Sequence, residues 1–226
     1  MGWRQEIQQA YDNAQSRTEA LWQKSADIGV RRATPFFHPA LLCQTIAIKP
    51  PLNSKILALL AQLRQLTEGD SLAEVMSSEA IHFTYLAIGT QKYGPEKAQD
   101  ISPDLLTIFE QCCADQPVHI SGLRLLALAD QILLAGFPDE HSYWRRQDLT
   151  ARVLGSSVRE EVLACHKGAI PQVFWHSTLM RYNAERMPTA LRQFVIDHIA
   201  DDYGEVLSTL RLVLTDYRWE RTLYLR

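Results

Sequence analysis

Long apolar runs, a signal-like start, an excess of basic charge and paired cysteines are all missing from this 226-residue chain, and each absence narrows what it can be. The stretch from Leu123 to Leu134 is broken by Arg124 and Asp130 and is too short to cross a bilayer, so no membrane partner is expected. Met1-Gly2-Trp3-Arg4-Gln5-Glu6 lacks the apolar core of a secretory signal, and Gly2 is not followed by the Ser or Thr that myristoylation needs, which points to the cytoplasm. A net charge of −3 argues against coating nucleic acid through a broad basic surface, because such binding depends on many phosphate contacts. Cys43, Cys112, Cys113 and Cys165 show no CxxC spacing and read as reduced, buried thiols. No HExxH motif is present, so neither a metal nor another cofactor is expected.

What is present is enough apolar residue, 46% of the chain, to bury a sizeable core. Trp3, Ile7, Tyr11, Ala14, Leu21 and Trp22 recur at helical intervals, predicting an amphipathic N-terminal helix over residues 1–30, ended by Gly29, ahead of a two-lobed domain over 31–226. With two tryptophans on its apolar side, this helix needs a surface to cover: its own domain, or a lid or dimer contact. After Pro35-Phe36-Phe37, a strand is expected from Leu41 to Ile48. A helix should start at Asn53 or Ser54, followed by a strand from Ile81 to Ile88 ended by Gly89 and a helix from Ser102 or Pro103 to Ala114. The second half repeats that order. Strands Ile120–Leu128 and Gln131–Phe137 flank Asp130, a helix runs from His141 to Leu154, a strand from Val173 to Tyr182 and a helix from Pro188 to Asp201. Strands Val206–Leu214 and Arg218–Leu225 close the chain. The pattern predicts an α+β fold with mainly antiparallel strands and helices outside.

Two of these strands carry the same motif, His82-Phe83-Thr84 and His176-Ser177-Thr178. Side chains alternate along a strand, so each His and the Thr two residues later point the same way, about 7 Å apart. With 7 histidines in the chain, about half a His-x-Thr match is expected by chance, so the apolar context of both motifs carries more weight than the motif itself. His119-Ile120-Ser121 fits a looser pattern but lies between Pro117 and Gly122, where a turn is expected. Phe83 and Trp175 alternate away from the histidines toward the core. Lys92, Lys97, Arg124, Arg145, Arg146 and Arg186 read as solvated charges; His38, His141, His166 and His198 have no matching partner pattern, and Asp201-Asp202 reads as a helix end.

The paired His-x-Thr strands, 94 positions apart, resemble those of the two-histidine (2H) phosphoesterase superfamily, which includes bacterial RNA 2′,3′-cyclic phosphodiesterases once named 2′-5′ RNA ligases. The resemblance spans roughly residues 36–226. It implies a bilobed α+β fold with two mainly antiparallel sheets and outer helices around a central cleft, His82 and His176 as catalytic groups, and Thr84 and Thr178 on the substrate phosphate. Arg181 matches a basic position after the second motif; its strand parity is opposite to that of His176, so it reaches the cleft only through a twist or bulge. Tyr85 departs from the aliphatic residue of many relatives.

The chemistry is arguable from the residues. Opening a cyclic phosphate needs one proton taken from water and one given to the leaving ribose oxygen, and imidazole does either near neutrality. Threonine hydroxyls can stabilise charge on the phosphoryl oxygens without a metal. The expected substrate is an RNA end or a small nucleotide. The alternatives are cleavage of 2′-5′ or 3′-5′ linkages in oligonucleotides or cyclic signalling nucleotides, and a non-catalytic RNA- or nucleotide-binding module.

Overall fold

The computed structural model describes residues 2–34, 41–91, 101–113 and 116–226. Pro35, Phe36, Phe37, His38, Lys92, Lys97 and Ala114 lie outside them. Helix α1 (Trp3–Lys24) leads into β1 (Leu42–Ile48), α2 (Ser54–Leu66), β2 (Ala73–Val75) and β3 (Phe83–Gln91), and then α3 (Pro103–Cys113). The hairpin β4 (Pro117–Leu128) and β5 (Gln131–Pro138) precedes α4 (Glu140–Leu154), α5 (Arg159–Cys165), β6 (His176–Tyr182), α6 (Thr189–His198), β7 (Val206–Thr215) and β8 (Thr222–Tyr224). The fold is α+β, as the sequence predicts.

The strands form one antiparallel path, β2-β6-β5-β4-β7-β1-β3, with β8 also on β7. Strand β7 joins two groups: Val206–Thr209 pairs with β4, and Leu210–Thr215 pairs with β1. The path curls until β3, at one end, meets β6 near the other, where the His82 amide donates to Ser177 Oγ at 3.3 Å. Ser177, the middle residue of the second motif, thus ties down the first.

Helix α1 buries Ile7, Tyr11, Ala14, Thr18 and Trp22, a stripe at three- and four-residue spacing. Each large apolar side chain among them contributes roughly 1.5–3 kcal/mol by burial. Thr18 Oγ1 donates to Ala127 O at 3.0 Å, so the helix covers the β4–β5 hairpin. Buried Arg192 on α6 caps its C-terminal end, donating to Trp22 O, Ser25 O and Asp27 O. The helix stops at Lys24, short of Gly29, and Leu21, expected on the apolar face, is 42% exposed.

Other boundaries shift as well. Strand β3 continues past Gly89 to Gln91, β6 starts at His176 rather than Val173, and the last strand shortens to Thr222–Tyr224. His119 lies inside β4, not in a turn, and its ring bonds Glu205 Oε2 at 2.9 Å. Strand β2 and helix α5 were not expected. Cys113 is buried, while Cys43, Cys112 and Cys165 are half-buried free thiols. No helix of the described residues is long and apolar enough to cross a membrane.

Candidate active site

A cavity of 560 Å³ opens on the inner side of the curled sheet, within the size range of small-molecule sites. His82, Thr84, His176, Thr178 and Arg181 all line it. His82 immediately precedes β3 and His176 begins β6, so both imidazoles sit at strand entrances. Each strand bulges one residue after its threonine. Opposite β1, Ile46 pairs with Leu86 and Ala47 with Thr84, leaving Tyr85 extra; opposite β5, Ile132 pairs with Met180 and Leu133 with Thr178, leaving Leu179 extra. The second bulge reverses the parity of β6 and turns Arg181 into the cavity.

The two histidines are held differently. His82 Nδ1 lies 2.7 Å from Ala80 O, an acceptor, which assigns the proton to Nδ1 and leaves Nε2 as the lone-pair nitrogen. Its ring stacks on Trp219, with centroids 4.3 Å apart and planes at 25°. Trp219 has a φ of 59°, a left-handed conformation that is costly for a bulky residue. Asp216 braces that turn: Oδ1 accepts from the Arg218 and Glu220 amides, and Oδ2 meets Arg221 Nε at 3.1 Å.

His176 is supported by packing instead. Phe174 meets its ring edge-on at 6.0 Å, and its Nδ1 is buried with no hydrogen-bond partner among the described residues. The preceding Trp175 amide donates to the Tyr11 hydroxyl at 3.0 Å, and that hydroxyl donates to Gly136 O at 2.7 Å. The N-terminal helix therefore positions the entrance to the second motif.

Desolvation pulls the pKa of both imidazoles from 6.5 down to about 4. For His82 the hydrogen bond to Ala80 opposes this, while the charges of Arg181, His176 and Lys49 add to it. For His176 the added charges are Arg146 and Arg181.

Two residues set aside in the sequence belong to this wall. Arg146, read as solvated, is buried at 4% exposure and lines the cavity. Its Nε donates to Tyr85 O at 2.6 Å, and Tyr85 itself is buried with its hydroxyl on Ser142 O. His166 also lines the cavity, with Nε2 2.9 Å from Ala87 O. A buried face on α4 was the available signal for Arg146, since Ser142, Arg146, Leu149, Thr150 and Val153 follow helical spacing.

Other candidates fall elsewhere. Phe83 and Trp175 are core residues. Arg124 lies over Tyr11 and Phe137, Arg145 bonds Gln116 O and Pro117 O, and Arg186 pairs with Asp27. His141 bonds Gln116, His198 bonds Asp201, and Asp202 accepts from the Gly204 amide. Among the described residues, no group of three or more His, Cys, Asp and Glu side chains is gathered to hold a metal ion.

The fold is an α+β arrangement whose antiparallel sheet curls around a cavity lined by two His-x-Thr segments. Solved structures share it. A Thermus thermophilus protein, TT0787, superposes with a TM-score of 0.53 at 16% identity, covering 81% of this chain and 95% of its own. Escherichia coli LigT complexed with 3′-AMP gives 0.52 at 15% identity over 81% and 94%, and a protein described as a phosphoesterase gives 0.51 at 14% over 80% and 93%. At such identities the likeness is one of fold. No family model matches the chain, and no curated protein matches it either.

Proposed function

We propose that the chain is a metal-independent phosphodiesterase that opens 2′,3′-cyclic phosphates of RNA ends or small nucleotides. The observation that carries this reading is the convergence of two imidazoles in different hydrogen-bonding states, two threonine hydroxyls and Arg181 on one cavity. A phosphoesterase and a LigT complexed with 3′-AMP share the fold, which supports it.

In the proposed step, His82 Nε2 accepts a proton from water as its oxygen attacks phosphorus. His176 donates a proton to the ribose oxygen as the P–O bond breaks, leaving a monophosphate and a free hydroxyl. The Ala80 carbonyl suits His82 to the base role by keeping its Nδ1 protonated. His176 needs a proton that its free-state pKa of about 4 disfavours at neutrality, and the negative charge of bound substrate raises that pKa. Thr84 and Thr178 donate to the non-bridging oxygens, and Arg181 opposes the charge developing there.

The test is chromatography of products after incubating the protein, with EDTA, with 2′,3′-cyclic mononucleotides and a short RNA ending in that group. Opening to one monophosphate, lost in His82→Ala and His176→Ala, is the expected result. No opening, or activity that EDTA removes and zinc or manganese restores, overturns it.

A further inference from the structure

The turn between β7 and β8, residues 216–221, puts a bulky side chain where a glycine would be at ease. Trp219 has a φ of 59°, an outlier for so large a residue. The bonds around it hold it there. Asp216 Oδ1 accepts the amides on either side of it, from Arg218 at 3.1 Å and Glu220 at 3.0 Å, and the Trp219 amide donates to Asp216 O at 3.1 Å. Thr222 Oγ1 donates to Trp219 O at 3.2 Å. Asp216 and Trp219 are both buried, so the brace and the residue it holds lie inside the fold.

Burial alone does not explain the arrangement. A glycine makes such a turn without the backbone cost, and an apolar side chain can be buried from an ordinary conformation. A strained residue that its surroundings over-determine points to a use for the side chain it delivers. Here the indole is delivered onto the His82 imidazole, with centroids 4.3 Å apart and planes at 25°. Both rings line the cavity.

What the stack adds follows from the other tether of His82. Nδ1 meets Ala80 O at 2.7 Å, a carbonyl two residues back in the same segment. One hydrogen bond fixes one corner of the ring, and the torsion that turns an imidazole about its Cβ–Cγ bond is otherwise broad. A flat face against the ring removes that freedom and sets the direction of Nε2. The indole also shuts water from one side of the imidazole, adding to the desolvation that pulls its pKa to about 4. The charged and titratable groups facing the ring, Arg181, His176 and Lys49, act in the same sense, and the Ala80 hydrogen bond opposes them. His176 has no comparable support: Phe174, two residues back on its own segment, meets it edge-on at 6.0 Å.

We propose that Trp219 is a positioning residue for His82: its face sets the plane of the imidazole so that Nε2 points at the attacking water, and the turn braced by Asp216 supplies that face. This rests on the proposed function, in which His82 takes the proton.

The experiment follows the His82 imidazole by NMR titration in the native protein, Trp219→Leu, Trp219→Phe and Asp216→Ala, its signal assigned by its absence from His82→Ala. The kcat and KM for a 2′,3′-cyclic mononucleotide are measured beside it, and thermal melts confirm folding. In the native protein the indole ring current should move the His82 ring protons upfield; ordinary shifts overturn the proposal. Trp219→Leu keeps an apolar side chain without a flat face. It should raise the His82 pKa from about 4 toward 6.5 and lower kcat about 10- to 100-fold, with KM changed less than about threefold. Trp219→Phe should retain most of the native behaviour, and Asp216→Ala should show a smaller change of the same kind. A folded Trp219→Leu with native titration and kcat overturns the proposal, as do equal losses in Trp219→Leu and Trp219→Phe. If Trp219→Leu does not fold, the native shifts and Asp216→Ala decide by the same readouts. A native protein that opens no cyclic phosphate while His82 responds to Trp219→Leu removes the catalytic reading alone. Turnover without that response removes the role of Trp219 alone.

Discussion

The two His-x-Thr segments share a motif and a bulge but not an environment. The first lies against β3, at the end of the strand path, and its imidazole is held by a carbonyl hydrogen bond and an aromatic stack. The second lies on β6, flanked by β2 and β5, and its imidazole has a buried nitrogen without a partner and a guanidinium nearby. Local sequence repeats the groups, while the surroundings give each histidine different hydrogen-bonding partners, and burial pulls both pKa values to about 4. Under the proposed mechanism His82 accepts a proton and His176 donates one.

The largest way to break the comparison is to remove either ring. His82→Ala and His176→Ala are each expected to lower kcat/KM for a 2′,3′-cyclic phosphate by about 10²–10⁴-fold. The pH profiles sharpen it: His82→Ala should lose the acid limb, and His176→Ala the alkaline one. Because bound substrate raises the His176 pKa, the alkaline limb of kcat should lie above that of kcat/KM in the native protein. Coincident limbs would contradict the assigned roles.

Stability tests the shared feature, desolvation. Both folded-state pKa values lie near 4 and the ordinary value is 6.5. Above pH 6.5 both rings are neutral in either state, and their contribution is complete. As the pH falls from about 6.5 to about 4, the unfolded chain gains protons that the folded chain refuses, so stability is lost across that window. Denaturant melts should show this decline, and it should lessen in either histidine variant.

Smaller effects separate the two supports. Tyr11→Phe leaves the Trp175 amide and Gly136 carbonyl without their buried partner and should cost about 1–3 kcal/mol in denaturant unfolding, acting on the second motif. Ser177→Ala removes the 3.3 Å bond to the His82 amide, where the motifs meet, and should cost about 1 kcal/mol. A Tyr11→Phe variant as stable as the native protein would detach α1 from the site.

Much of the architecture was legible locally. Helix α2 announced itself by its leucines and by Asn53, whose Oδ1 accepts the Ile56 amide at 3.0 Å. Strand β2, with three residues, and helix α5, with seven and one buried side chain, are too short to show a period. Trp219 was unreadable as the partner of His82, because a turn braced by Asp216 delivers it from a distant part of the chain.

The sequence by itself determined the α+β class, the two His-x-Thr segments and the alternation along β3 that sends Phe83 into the core, because these follow from periods of two and 3.6 residues. Only the tertiary structure decided that Arg181 turns inward, that Arg146 and His166 join the cavity wall, and that Ser177 bonds His82. Those depend on register, bulges and the meeting of β3 with β6, which are set by packing between residues nearly a hundred positions apart.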